Sequence, residues 1–182
     1  MDSKINESMT KRIMGSIAGF RLPRFNEITN VGLYLEQTAK FINGYLSPLG
    51  GTEITGSMVS NYVKQKLVPN PVKKQYYTEH IAVLMFIAIA KTVTSLDDIR
   101  LMLSLQSESC PLDKAYDHFC DSLEAGLRRT NQAAEGAAPV SSEAEALMRI
   151  MIEAIVHKIY LDQCLTIFRS VRDREEQQLP PE

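Results

Sequence analysis

The sequence predicts a mainly α-helical fold, and three observations lead there. Apolar residues recur at three- and four-residue intervals over most of the chain. Prolines and glycines gather in short breaks between those stretches. Extended-looking sequence is confined to one brief basic segment, Val72 to Tyr77, too short to be stable as an independent strand pair.

Taken in order, Ile5, Met9, Ile13 and Ile17, with Met14 alongside, predict an amphipathic helix ended by Gly19 and Pro23. A second helix is expected from a cap near Asn30, with Val31, Tyr34, Leu35, Thr38, Phe41, Ile42 and Tyr45 on one stripe. Ser47-Pro48-Leu49-Gly50-Gly51 breaks it. Thr55 then caps a short helix to Lys66, whose apolar positions are Met58, Tyr62 and Val63. Pro69 and Pro71 prevent its continuation, so Val72 to Tyr77 is expected to form a small wing packed on the helices. Thr78 reads as the cap of an apolar helix, Glu79 to Lys91. Thr94 or Ser95 caps the next, and Asp97 and Asp98 in its first turn complement the helix dipole. Pro111 suits the first turn of a helix running to about Arg129.

Residues 130–142, rich in Ala, Gly, Pro and Ser, read as a linker. A last helix over 142–172 is apolar on most of its circumference and calls for burial on several sides. A homodimer is the economical way to cover it, with intramolecular packing as the alternative. The expected organisation is an N-terminal helix and turn (1–29), a winged helix-turn-helix (30–105) and a helical dimerisation or effector region (106–182).

Charge is unevenly distributed. The net charge of −2 divides into +4 over residues 1–90 and −6 over 91–182, which suits a nucleic-acid reader joined to an assembly or sensing region. Three widely spaced cysteines fit a reducing cytoplasm better than a disulfide scaffold. Asp2, Glu7, Lys11 and Arg12 interrupt any signal-peptide pattern. The apolar run Ile81 to Ala90 is too short to span a bilayer. A cytoplasmic protein with no membrane role is expected.

Catalytic signatures are lacking: there is no Gly-rich phosphate loop, nucleophile elbow or metalloprotease helix. Neither an enzyme nor a cofactor is expected. Cys110, His118, Cys120 and Cys164 include no closely spaced ligand pair, so no metal is expected. Asp113, Asp117 and Asp121, four residues apart, read as a solvated acidic helix face.

The segment from Ile54 to Tyr76 carries the functional expectation. A reading helix places small or polar residues at its N-terminal end, where base edges approach in the major groove. Thr55, Gly56, Ser57, Ser60 and Asn61 supply that surface, with Gly56 and Ser57 small enough for close backbone approach. Lys64, Lys66, Lys73 and Lys74 are candidate phosphate contacts, and Asn61 is the candidate for base readout.

From Ile54 to Leu103 the pattern resembles the DNA-binding domain of MerR-type regulators. Val59-Ser-Asn-Tyr-Val-Lys-Gln-Lys-Leu-Val-Pro69 corresponds to that family's reading helix and its leucine-leucine-proline exit. Lys74, Tyr76 and Glu79 fill the places of its wing, and Ser95-Leu96-Asp97-Asp98-Ile99 matches the opening of its next helix. Ser60 stands where the family has arginine, and Lys66 where it has glycine.

A closer resemblance covers residues 21–105. Arg21-Leu-Pro-Arg-Phe25, Leu33-Tyr-Leu-Glu-Gln37 and Asn61 to Lys74 are similar to the bacterial domain-of-unknown-function family 1836. The resemblances imply a MerR-like winged helix-turn-helix and add Tyr76 to the DNA-binding set. The expected function is transcription regulation through double-stranded DNA. A small-molecule effector would belong to 106–172, where no residue names its chemistry. The alternative is a protein-interaction module on the same scaffold.

Overall fold

The computed structural model describes residues 19–136 and 143–178. Helices dominate: α1 (Leu35–Leu46), α2 (Gly56–Lys64), α3 (Thr78–Ala90), α4 (Leu96–Ser109), α5 (Leu112–Gly136) and α6 (Glu143–Gln178). Residues 19–136 fall in one compact unit, and α6 belongs to another. The expected N-terminal helix and turn (1–29) lies, up to residue 18 and so over the whole of its helical stripe Ile5 to Ile17, outside the described residues.

The core forms around α3, because that helix carries almost no polar face. His80 to Met85, Ile87, Ala88 and Ala90 are buried along it. A helix apolar all round must be covered on several sides, and α1 and α5 both pack on α3. Leu22, Ile42, Leu46, Ile54, Val59, Ile99, Tyr116 and Cys120 complete the same cluster. Each fully buried aliphatic side chain contributes roughly 1.5–3 kcal/mol.

Helix starts are largely set by local hydrogen bonds. Met58 N–H donates to Thr55 Oγ1 at 3.2 Å, and Asp98 N–H to Ser95 Oγ at 3.2 Å, as expected of those caps. Two starts differ from expectation. Helix α1 begins at Leu35, not near Asn30, because Leu33 is held in a backbone bridge with Tyr76 (2.9 and 2.8 Å). Gln37 Oε1 then accepts the Tyr34 N–H at 2.9 Å. Helix α3 takes Tyr77 as its cap, and Thr78 donates instead to Thr29 O at 3.2 Å.

Helix α5 continues to Gly136, through the first half of the expected 130–142 linker. Ala133, Ala134 and Glu135 are strong helix formers, and their propensity prevails over low complexity. Residues 137–142 lie outside the described residues.

The acidic ladder on α5 is not merely a solvated face. Asp117 Oδ1 accepts the Phe25 N–H at 2.7 Å, and Asp121 pairs with Arg24 at 2.7 Å. Glu124, buried, accepts the Leu22 N–H at 3.0 Å and pairs with Arg24 at 2.7 Å. This row therefore anchors the strap Leu22–Phe25, whose backbone donors would otherwise be buried without acceptors. The partners are some hundred residues away in sequence, beyond the reach of spacing arguments.

Candidate nucleic-acid interface

Helix α2 enters from a turn fixed by one side chain. Asn43 Nδ2 donates to Ile54 O at 2.8 Å, and its Oδ1 accepts the Ile54 N–H at 2.9 Å, so its amide substitutes for a strand partner. Thr52 adds a bond from its hydroxyl to Leu46 O at 3.2 Å. The result is α1, a turn through the 3-10 segment Ser47–Leu49, and α2 packed back on α1. Glycines at Gly50 (φ +63°) and Gly51 (φ +64°) supply the left-handed backbone of the turn.

The two faces of α2 are sharply different. Gly56, Val59 and Tyr62 are buried, whereas Ser57, Asn61 and Lys64 are exposed and Ser60 is half-buried. Residues spaced by four and three share one helix face. Ser57, Asn61 and Lys64 thus form an outward polar stripe, with Thr55 exposed at its start. Of the sequence-predicted set, Gly56 and Tyr76 are placed differently from the contact roles expected of them. Gly56 is buried under the Glu36 carboxylate, which occupies the space a Cβ would need. Tyr76, 5% exposed, packs in the core, where burial raises its phenol above the usual range. Both are packing residues in this fold.

The end of α2 turns on a left-handed residue at Lys66. Leu67 N–H bonds to Tyr62 O at 3.0 Å and Lys66 N–H to Val63 O at 2.9 Å. Those two bonds make a Schellman ending, which requires a left-handed residue after the cap. Lys66 provides it with φ +58°. Leu67 and Val68 are buried and anchor the exit.

In place of the expected wing, the chain forms only a minimal hairpin. Val72 and Gln75 exchange both backbone bonds (3.0 and 2.9 Å) around Lys73 and Lys74, whose φ values are +51° and +65°. Two positive φ values in a two-residue loop mark a type I′ turn. Among the described residues there is no extended strand, only this bridge and the Leu33–Tyr76 bridge. Buried His80 ties the hairpin to α3: Nδ1 accepts the Tyr77 N–H at 3.1 Å, which assigns the proton to Nε2, 3.2 Å from Asn70 O. Gly32 lies flat against the hairpin, since an added Cβ would stand 2.8 Å from Tyr77 Cζ and 2.9 Å from Gln75 Cβ. Gly32→Ala is expected to cost about 1–3 kcal/mol by overpacking. Denaturant unfolding checks this, and wild-type stability would show that the hairpin shifts freely.

Lys64, Lys66, Lys73 and Lys74 are all exposed, and none forms an ion pair among the described residues. Two further cations flank α2 that sequence spacing did not single out. Arg100 of α4 donates to Gln65 O at 3.1 Å and pairs with Asp97 at 2.7 Å. Lys91, 3.9 Å from Met58 Sδ, has its ammonium pushed down by burial. Only the fold brings these two to α2.

Other chemistry is sparse. Among the described residues no group of His, Cys, Asp or Glu could hold a metal ion. Burial pushes the Cys120 thiol up to about 11, so it is not a thiolate at neutral pH. An open depression of about 480 Å³ is lined by Phe25, Asn26, Ile28, Asn30, Tyr77, Thr78 and Glu79, outside the 106–172 region expected to hold an effector. Among the described residues no helix is long and apolar enough to cross a membrane.

No curated protein and no solved structure matches the chain significantly. One family, described as Domain of unknown function (DUF1836), matches residues 23–119, a span from the strap through α1, α2, the hairpin, α3 and α4 into α5. That is more than half of the 182 residues, and the chain belongs to the DUF1836 family.

Proposed function

We propose that the chain is a DNA-binding transcription regulator of the bacterial cytoplasm, with a MerR-like winged helix-turn-helix, acting by binding rather than catalysis. The observation that carries this reading is the two-faced α2: Gly56, Val59 and Tyr62 inward, Ser57, Asn61 and Lys64 outward. An exposed polar stripe on a short helix held rigidly by its neighbours suits a reader of base edges. Unpaired lysines at its end and on the following hairpin suit phosphate contacts, which give affinity and register.

Duplex binding measured over a salt series tests the proposal. Affinity is expected to fall steeply with salt as phosphates contacted by lysine release counterions. Asn61→Ala is expected to change the preference among sequences more than the overall affinity. A chain with no affinity for duplex at low salt would refute the reading.

Self-association belongs to the same proposal. Helix α6 leaves Leu147, Ile150, Ile155, Ile159, Ile167 and Phe168 about half exposed or more, distributed around its circumference. A second copy is the proposed cover, and light scattering showing a monomer at micromolar concentration would remove it.

The second reading, a protein-interaction module, draws on a different observation. Val31 (73%), Tyr34 (56%) and Val72 (54%) are exposed apolar side chains in the two segments joined at the Leu33–Tyr76 bridge. Binding through such a patch would be nearly insensitive to salt, so the same titration separates the two.

A further inference from the structure

The position of Glu36 assigns a specificity role to a residue outside α2; the inference rests on the reading of α2 as a duplex reader and names a base it discriminates. Glu36 is the second residue of α1, yet its carboxylate reaches over the first residue of α2. A Cβ added at Gly56 would collide with Glu36 Oε1 and stand 3.2 Å from Leu35 Cγ. The glycine is the floor on which this carboxylate rests. Glu36 is exposed, and among the described residues its carboxylate has no hydrogen-bond or ion-pair partner.

An unengaged acceptor at this place has two physical effects. It repels phosphate from a helix end whose amide groups and dipole would otherwise attract anions. It also offers lone pairs to an amino group in the major groove. Among the base edges there, guanine presents two acceptors, and thymine an acceptor and a methyl group. Adenine places its donor beside the N7 acceptor, whereas cytosine presents the N4 amino donor alone. A carboxylate therefore favours cytosine.

We infer that Glu36 makes this protein prefer cytosine at one position of its site, beside the N-terminal end of α2. The N-terminal end of α2 thus carries an exposed acceptor over Gly56, and its C-terminal end an exposed cation at Lys64. The cationic end and the hairpin meet phosphate, and the acidic end meets base.

Selection from a randomised duplex library, with wild type, Glu36→Gln and Glu36→Ala, tests this. Affinities are then measured on the selected duplex and on each base change at the position concerned. Wild type is expected to prefer cytosine there by roughly tenfold, the size of one good base contact. Glu36→Ala is expected to lose that preference, and Glu36→Gln to move it to adenine, which an amide pairs in bidentate fashion. On duplexes without cytosine at that position both variants should bind several-fold more tightly than wild type, because a charge of the same sign as phosphate is removed. Preferences elsewhere in the site should not move, and the thermal midpoint should fall only by the small helix-dipole contribution of one exposed carboxylate. An unchanged preference in both variants overturns the inference while leaving α2 as the reader. Wild type that binds no duplex overturns the reading of α2 and this inference with it.

Discussion

Arg24→Ala is expected to cost roughly 3 kcal/mol of folding stability, the lower end of the range for breaking a buried ion pair from one side. Arg24 is held by Leu22 O at 2.9 Å, by Asp121 at 2.7 Å and by both oxygens of Glu124 at 2.7 and 2.9 Å. The Glu124 side chain is only 7% exposed, against 21% for Arg24. Removing the guanidinium strands a carboxylate that solvent barely reaches, with little more than the Leu22 N–H left to offset its desolvation. Glu124→Gln is expected to cost less, because the amide oxygen still accepts the Leu22 N–H. Replacing both residues by methionine should recover only part of the stability, since neither charge is then left alone but the buried Leu22 N–H loses its acceptor. Urea unfolding of the three variants checks the order, and equal destabilisation in all of them would show that the pair is not the unit that matters.

The same site sets a pH dependence. The side-chain hydrogen bonds from Arg24, aided by the Leu22 N–H, hold Glu124 below the ordinary carboxylate range, against the opposing effect of burial. A carboxylate whose pKa is lower folded than unfolded binds fewer protons in the native state. Its contribution is complete above the unfolded value of about 4.3 and is lost as pH falls through the folded value. Wild type should therefore lose stability on acidification below about pH 5 more steeply than Glu124→Gln.

This anchoring strap was invisible in the sequence, and the reason is physical. Helical spacing shows that Asp113, Asp117 and Asp121 share a face, but says nothing of what lies on it. Leu22 N–H and Phe25 N–H need acceptors only because the chain is folded down upon α5. Features set within four residues were legible: the Thr55 and Ser95 caps, the Pro111 start, the break at 47–51 and the all-round apolar α3. Tertiary pairing displaced the rest. Leu33 pairs with Tyr76, so α1 starts five residues after Asn30. Glu36 reaches α2, so Gly56 is a floor instead of a DNA contact. An aromatic ring in a basic segment suggests a surface role for Tyr76, whereas the bridge to Leu33 turns that ring into the core. On α2 the polar residues Ser57, Asn61 and Lys64 were legible as surface, but of the expected apolar positions Met58, Tyr62 and Val63 only Tyr62 is buried, and Val59 takes the inward place beside it.

Replacing Lys73 by Asn and Lys74 by Gly is expected to move stability and binding in opposite directions. Among the described residues, three non-glycine residues have positive φ, and all three are exposed lysines: Lys66, Lys73 and Lys74. A left-handed conformation costs an ordinary side chain roughly 1–2 kcal/mol. Type I′ turns are made at least cost by Asn-Gly, so this hairpin carries lysines where they fit poorly. Backbone cost retained at a surface turn points to a use for the side chains. The double variant should be more stable by about 1–2 kcal/mol, as the left-handed penalty is relieved. Its duplex affinity should fall about tenfold or more at low salt, and the slope of log affinity against log salt should flatten by about 2, one unit for each phosphate that lysine no longer neutralises. Both measurements are needed, because a destabilised hairpin would weaken binding even if neither lysine touched phosphate. A variant that is more stable yet binds with the wild-type slope would take the hairpin off the phosphate backbone and leave α2 to account for binding alone.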